Sequence, residues 1–176
     1  MSLGGRLFLL LLLVVAFAIT MLTTNPRLSL DLLAGLIDAT HAHVQTISSH
    51  ELAEVQRDRS LRKPILVDVR TESEYAVSRI AGALHVPDAD ATDYRLADLP
   101  RNSDIVVYCA VGYRSAKVAA RLQQQGFTRV RNLSGGIFGW ANANHPVLDA
   151  ARQRARVVHP FGPFWQRFLR PELRAP

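Results

Sequence analysis

Asp104-Ile105-Val106-Val107-Tyr108-Cys109-Ala110-Val111-Gly112-Tyr113-Arg114-Ser115 is the stretch that decides how this chain is read. Its first five residues form an apolar, β-branched run that predicts a strand leading directly into Cys109. From Ser115 to Gln125, Val118, Ala119 and Leu122 share one face and the pattern stops at Gly126, which predicts a helix. A side chain held between a strand end and a helix start occupies the crevice where open parallel sheets place ligands. Gly112 can turn the backbone so that successive N–H groups point at the sulfur. Those amides and the positive end of the helix favour thiolate over thiol and hold an anion on it. Arg114 adds a fixed charge at the rim, suited to sulfonate-like oxygens. An inert core cysteine would be followed by more core, not by a glycine turn and an arginine. Cys109 is therefore the candidate nucleophile, and Ala110, Val111, Gly112, Tyr113 and Arg114 are the candidate substrate-binding loop.

Outward from this stretch, strand and helix signals alternate. Ile65-Leu66-Val67-Asp68-Val69 and Ala83-Leu84-His85-Val86 read as strands, Val130-Arg131-Asn132-Leu133 as a weaker one, and Val44-Gln45-Thr46-Ile47 as a first. Ser48-x-x-Glu51 and Thr71-x-x-Glu74 both match the capping box that opens a helix. Continuous apolar strands separated by helices predict a three-layer α/β domain with a parallel sheet covered on both faces. With 176 residues, 48% of them hydrophobic, the chain has material for one such domain plus extra segments. A single cysteine excludes an intrachain disulfide framework and a four-cysteine zinc site. Of the net charge of +6, residues 151–176 carry +5, from six arginines against Glu172. The basic character belongs to a tail, which argues against nucleic-acid binding by the domain itself.

The ends divide the chain further. Residues 1–24 carry an uncharged apolar run, Leu7 to Leu22, behind Arg6. At 1.5 Å per residue, sixteen residues reach roughly 24 Å, short of a hydrocarbon core of about 30 Å but usable as a transmembrane anchor. The rival reading is a signal segment cleaved near Ala18, where Ala16-Phe17-Ala18 has the small-x-small form; apolar residues continuing through Ile19 and Leu22 favour the anchor. Arg6 and the amino terminus against Arg27 place the domain outside the cytoplasm, on the periplasmic side, under either reading. Residues 25–43 are a connector with Leu28, Leu32, Leu33, Leu36 and Ile37 spaced for one face of a short helix, to lie on a membrane or pack on the domain. Residues 44–147 are the domain. Residues 148–176 form a basic, aromatic tail in which Phe164, Trp165, Phe168 and Leu169 stand beside Arg167 and Arg170, a composition suited to a membrane headgroup interface.

Other constellations carry less chemistry. Asp68 and Arg70 read as a structural ion pair. His41-x-His43 lacks a third ligand, and Trp140 reads as packing beneath the loop. No metal site, cofactor site or dinucleotide loop is expected.

Taken together, Leu66-Val67-Asp68-Val69-Arg70, Glu74, Ile80-Ala81-Gly82-Ala83, Cys109-x-x-Gly112-x-Arg114-Ser115, Ala119-Ala120, Leu122, Gly126 and Leu133-x-Gly135-Gly136-x-x-x-Trp140 resemble a single-domain rhodanese over about residues 44–147. The resemblance implies a central parallel five-stranded sheet flanked by helices and a Cys109 that carries a persulfide. It implies a sulfurtransferase that takes sulfur from a small anionic donor, thiosulfate or a persulfide, and passes it to an external thiol or cyanide. Thiosulfate-specialised members often carry a basic residue directly after the cysteine, and Ala110 and Val111 depart from that pattern. Rhodanese-related phosphatases resemble Cys-x5-Arg, one residue longer than the spacing from Cys109 to Arg114. With no second cysteine, an outside thiol must collect the sulfur. The alternative is a membrane-anchored interaction module in which turnover is incidental.

Overall fold

A computed structural model describes residues 12–16, 20–21, 24–87, 89 and 93–176 of the chain. A helix α1 spans Pro26–Thr40, followed by β1 (Gln45–Ile47), α2 (Ser49–Arg57), β2 (Ile65–Asp68), α3 (Glu72–Val77) and β3 (Leu84–His85). Then come α4 (Tyr94–Ala97), β4 (Asp104–Tyr108), α5 (Tyr113–Gln124), β5 (Arg129–Leu133) and α6 (Gly136–Asn142), with 3-10 turns at Trp165–Phe168 and Pro171–Leu173. The five strands make one parallel sheet in the order β1-β5-β4-β2-β3. The expected five-stranded parallel α/β architecture is therefore present, with the strand leading into Cys109 at its centre.

Strand alternation sorts the core into two layers. Leu66, Val106, Tyr108 and Leu133 pack with α1, α2 and α6, while Val67, Ile105, Val107, Cys109 and Val130 pack with Leu96 of α4 and Val118, Ala119 and Leu122 of α5. Both capping boxes form. Ser48 and Thr71 accept the N–H groups of Glu51 and Glu74, whose carboxylates reach back to the cap amides. Helix α5 begins two residues before the expected Ser115, because Gly112, in the left-handed region at φ 102°, turns the chain straight into it.

Two expectations about the ends need amendment, and a third lies largely outside the described residues. The membrane-engaging run Leu7–Leu22 falls largely on residues 1–11, 17–19 and 22–23, outside the described residues. Among the described ones no helix is long and apolar enough to cross a membrane. The connector is a helix; of the five residues expected on one face, Ile37 is buried and Leu33 packs on the core, while Leu28, Leu32 and Leu36 are exposed and Leu30 and Ala34 complete the side that meets the domain. A helix with apolar residues on more than one side offers two stripes to a periodicity argument, and only packing selects one. In the tail, Phe168 and Leu169 are buried in the same core cluster as Leu30 and Trp140, and the short helix is a 3-10 turn. Val158 is buried there too, and its N–H donates to the Leu173 carbonyl. The tail is thereby integrated into the domain, with only Phe164 strongly exposed among the four apolar residues expected at a headgroup interface.

Candidate active site

Cys109 follows the last residue of central strand β4, and the loop from it to Arg114 folds inward on itself. Its carbonyls are taken from outside: Cys109 accepts from Ile137 N–H at 2.9 Å and Ala110 from Phe138 N–H at 3.0 Å, both in the first turn of α6. The Gly112 carbonyl accepts from Asn132 Nδ2 at 3.2 Å, from Ser115 Oγ at 3.2 Å and from Ala116 N–H at 3.0 Å. With these three acceptors engaged, the Gly112 donor is left to the sulfur. The Gly112 N–H lies 3.2 Å from Cys109 Sγ, and α5 opens with no side-chain cap. The N–H groups of Tyr113, Arg114 and Ser115 accordingly have no intrahelical acceptor, which makes the helix start a site for negative charge.

The clamp on the two carbonyls requires glycine at 136. Its φ is +55°, and a Cβ there would fall 2.5 Å from the Cys109 oxygen and 2.6 Å from the Ala110 oxygen. Asn132 and Gly136 shape the loop although neither stood out as a site residue; the Gly135-Gly136 pair was the available signal for the second.

The sulfur lies at the bottom of this cradle, 1% exposed, with Ala110, Val111 and Gly112 also buried. Tyr113 and Arg114 reach the surface at the mouth. The Tyr113 ring meets His41 edge-on at 6.1 Å, and the Lys117 ammonium lies 4.3 Å from the same ring. Arg114 is not the free rim cation that the sequence suggested. Its guanidinium makes a two-pronged pair with Glu74, at 3.0 and 2.7 Å, and the side chain of Glu74 is only 2% exposed. Phe161, from the C-terminal segment, covers it with its ring centroid 4.4 Å from the guanidinium carbon. Burial alone would raise the Glu74 carboxyl, but hydrogen bonds and charge from Arg114, with the Thr71 cap, hold it below the usual carboxylate value. Burial likewise works against the Arg114 charge, and Glu74 more than offsets it, with the Cys109 sulfur adding in the same direction. Glu74 thus both caps α3 and fixes Arg114, a double role the capping-box motif did not disclose.

Asp68 and Arg70 form the expected structural pair, fully buried, with Arg70 Nη2 also donating to the Ser78 carbonyl at 2.6 Å. Nearby, the Tyr108 hydroxyl accepts the Ile80 N–H at 3.1 Å. This buried network anchors the strand end that carries Cys109. Trp140 is buried beneath the loop, its indole N–H donating to the Pro146 carbonyl at 2.8 Å.

Fold and loop together define a class: a parallel α/β domain built around one cysteine cradled at a helix start. Among known families, residues 49–143 match the rhodanese-like domain, and the chain belongs to that family. It is 39% identical over 105 residues to a sulfurtransferase of Allochromatium vinosum, an alignment covering 60% of this chain and 95% of the relative. It is 37% identical over 105 residues to the thiosulfate sulfurtransferase GlpE of Coxiella burnetii, covering 59% and 92%. The crystal structure of a rhodanese-related protein from Thermoplasma volcanium superposes with a TM-score of 0.50 at 27% identity, covering 59% of this chain and 97% of that one. Membership and these relatives support a sulfurtransferase-like enzyme in general. Helix α1 and the segment that carries Phe161 lie outside the matched residues.

Proposed function

We propose that this protein is a sulfurtransferase that carries sulfur as a persulfide on Cys109. The observation that supports it most directly is the Gly112 amide on the sulfur, inside a loop whose Cys109, Ala110 and Gly112 carbonyls bond elsewhere. The Cys109 thiolate attacks the outer sulfur of a sulfane donor; with thiosulfate, the S–S bond to the sulfonate breaks and sulfite leaves with the electron pair. The persulfide anion left on Cys109 is held by the loop amides and the start of α5. An external thiolate or cyanide then attacks the terminal sulfur, and Cys109 departs as thiolate. Apolar Ala110 and Val111, and an Arg114 already paired with Glu74, favour a persulfide over thiosulfate as the natural donor.

Intact-mass measurement after donor treatment tests this. An addition of about 32 Da, one sulfur atom, that maps to Cys109 and disappears with cyanide is the expected result. No adduct with thiosulfate or with an organic persulfide would point to an anchored interaction module instead.

The same reading places the chain at a membrane, with residues 7–22 as an uncleaved anchor and the domain on the extracytoplasmic side. In support, the consecutive helical residues Leu12, Leu13, Val14 and Val15 are all exposed, so that turn packs on no part of the described protein. Fractionation with membranes after an alkali wash is the expected outcome, and a mature amino end at Ile19 would replace the anchor with a cleaved signal.

A further inference from the structure

Helix α1 is apolar on two opposite sides. At about 100° per residue, Leu30, Ala34 and Ile37 point into the domain, while Leu28, Leu32 and Leu36 follow one another at four-residue intervals on the far side. The outer three are 39%, 51% and 66% exposed. A helix of this kind is at rest only when both sides are covered, and in the described chain one is not.

Three features identify the cover. Helix α1 starts at Pro26, immediately after the apolar run that ends at Leu22, with Asn25 capping the break between them. The described part of that run turns its own leucines and valines outward and so does not fold back over the stripe. Basic side chains also gather near the root of α1, with Glu172 among them, paired to Arg170 at 3.3 Å. Arg27 donates to the Asn142 carbonyl, the Arg170 N–H donates to the Asn142 side chain, and Arg170 lines a cavity of about 480 Å³ together with Arg154 and Arg156. Neither Arg154 nor Arg156 is among the ion-paired arginines of the described residues.

We infer that α1 lies on the surface of a lipid bilayer, with Leu28, Leu32 and Leu36 in the headgroup–acyl boundary and Arg154 and Arg156 against anionic headgroups. This rests on the membrane reading above and adds an orientation to it. The far end of α1 reaches His41, whose ring touches Tyr113 at the active-site mouth. The helix therefore fixes the mouth beside the bilayer, roughly 22 Å from the anchor at 1.5 Å per residue. The sulfur acceptor that suits such a site is a thiol held at the membrane surface.

The test uses the full chain with Cys109→Ser, carrying a fluorophore on either Leu32→Cys or Arg59→Cys, the latter in the exposed loop before β2. Both variants are reconstituted in phosphatidylcholine vesicles with or without phosphatidylglycerol, doped with a nitroxide-bearing lipid. The expected result is quenching several-fold stronger at 32 than at 59. Phosphatidylglycerol should increase it, and Arg154→Gln with Arg156→Gln should remove that increase. A chain that floats with the vesicles while aqueous iodide quenches both probes equally leaves the anchor standing and overturns the α1 placement. A probe at 32 shielded from both quenchers means a protein covers the stripe, which also overturns it. An increase that survives the arginine changes overturns the headgroup contact. A chain that does not float with vesicles overturns the anchor itself and the α1 placement with it.

Discussion

At the scale of single residues, everything turns on one sulfur and the groups that face it. Cys109→Ser should remove sulfur transfer and the sulfur adduct while thermal unfolding stays close to wild type, because the serine hydroxyl fills the same cradle but is not ionised near neutral pH. Measurable turnover by that variant would move the nucleophile elsewhere. Arg114→Ala should be costly mainly through Glu74, whose buried carboxylate would lose its partner; removal of one member of such a pair costs about 3–5 kcal/mol, less here because the Arg114 side chain is 27% exposed. The pH dependence gives a sharper check. In the wild type the Glu74 carboxyl is held below its ordinary 4.5, so its contribution is complete above that pH and is lost as pH falls through the lower folded value. In the variant, burial without a partner raises the carboxyl, so acid relieves the penalty. The stability gap between the two proteins should narrow as pH falls below neutrality, which denaturant titrations at several pH values would measure. Phe161→Leu keeps an apolar side chain but removes the π face over Arg114. It should raise KM for thiosulfate by about two- to fivefold, the equivalent of 0.5–1 kcal/mol, with kcat little changed, and Phe161→Tyr should restore it. Cys109 was legible because a strand signal, a glycine and a basic residue adjoin it in sequence. Phe161 was not, since nothing local marks a residue from a distant segment as part of the mouth.

The elements add constraints that no single side chain reveals. The loop is shaped by α6 from below, and Gly136→Ala would drive a methyl into the Cys109 and Ala110 carbonyl oxygens, at a residue whose φ is +55°. The two N–H contacts from α6 would have to part, at a cost of about 1–3 kcal/mol, and turnover should fall more steeply than stability because the amide ring distorts first. Comparing Tm with kcat for this variant separates the two effects. In α1 the two faces should respond oppositely: Leu30→Ala should cost about 2–5 kcal/mol, whereas Leu32→Ser in detergent should leave unfolding unchanged. The strands, the capping boxes and the helix after the loop were readable from apolar runs and cap residues, whereas the strand order was not. The packed side of α1 was legible only in Leu33 and Ile37, because periodicity reports that a stripe exists and only the partner surface decides which stripe is used.

For the molecule as a whole, the segments flanking the family domain belong to its core. Leu30 and Ile37 of α1 share a cluster with Val158, Phe168 and Leu169, and the Asn142 side chain donates to the Phe168 carbonyl at 2.8 Å. Each fully buried side chain of this size contributes about 1.5–3 kcal/mol, against a total stability of roughly 5–15 kcal/mol for a typical domain. Deletion of residues 158–176 should therefore abolish a cooperative thermal transition or lower its midpoint steeply, as circular dichroism would record. A truncated chain that melts like the full one would make the segment an accessory. Composition marked residues 148–176 as a tail because arginine and proline dominate the count, while the three residues that carry the packing are too few to shift it.

The closure of α1 against the segment around Phe168 bears on how the chain is made. Both partners of that contact exist only after the Cys109 loop, the sheet and more than a hundred intervening residues have been synthesised. Long-range contacts of this kind form slowly, since loop-closure entropy must be met before any burial is gained. A nascent chain whose core waits on a downstream segment stays loosely held while it leaves the ribosome. On the extracytoplasmic placement proposed above, that delay would keep the chain threadable through a secretion channel, with the lock applied only after export.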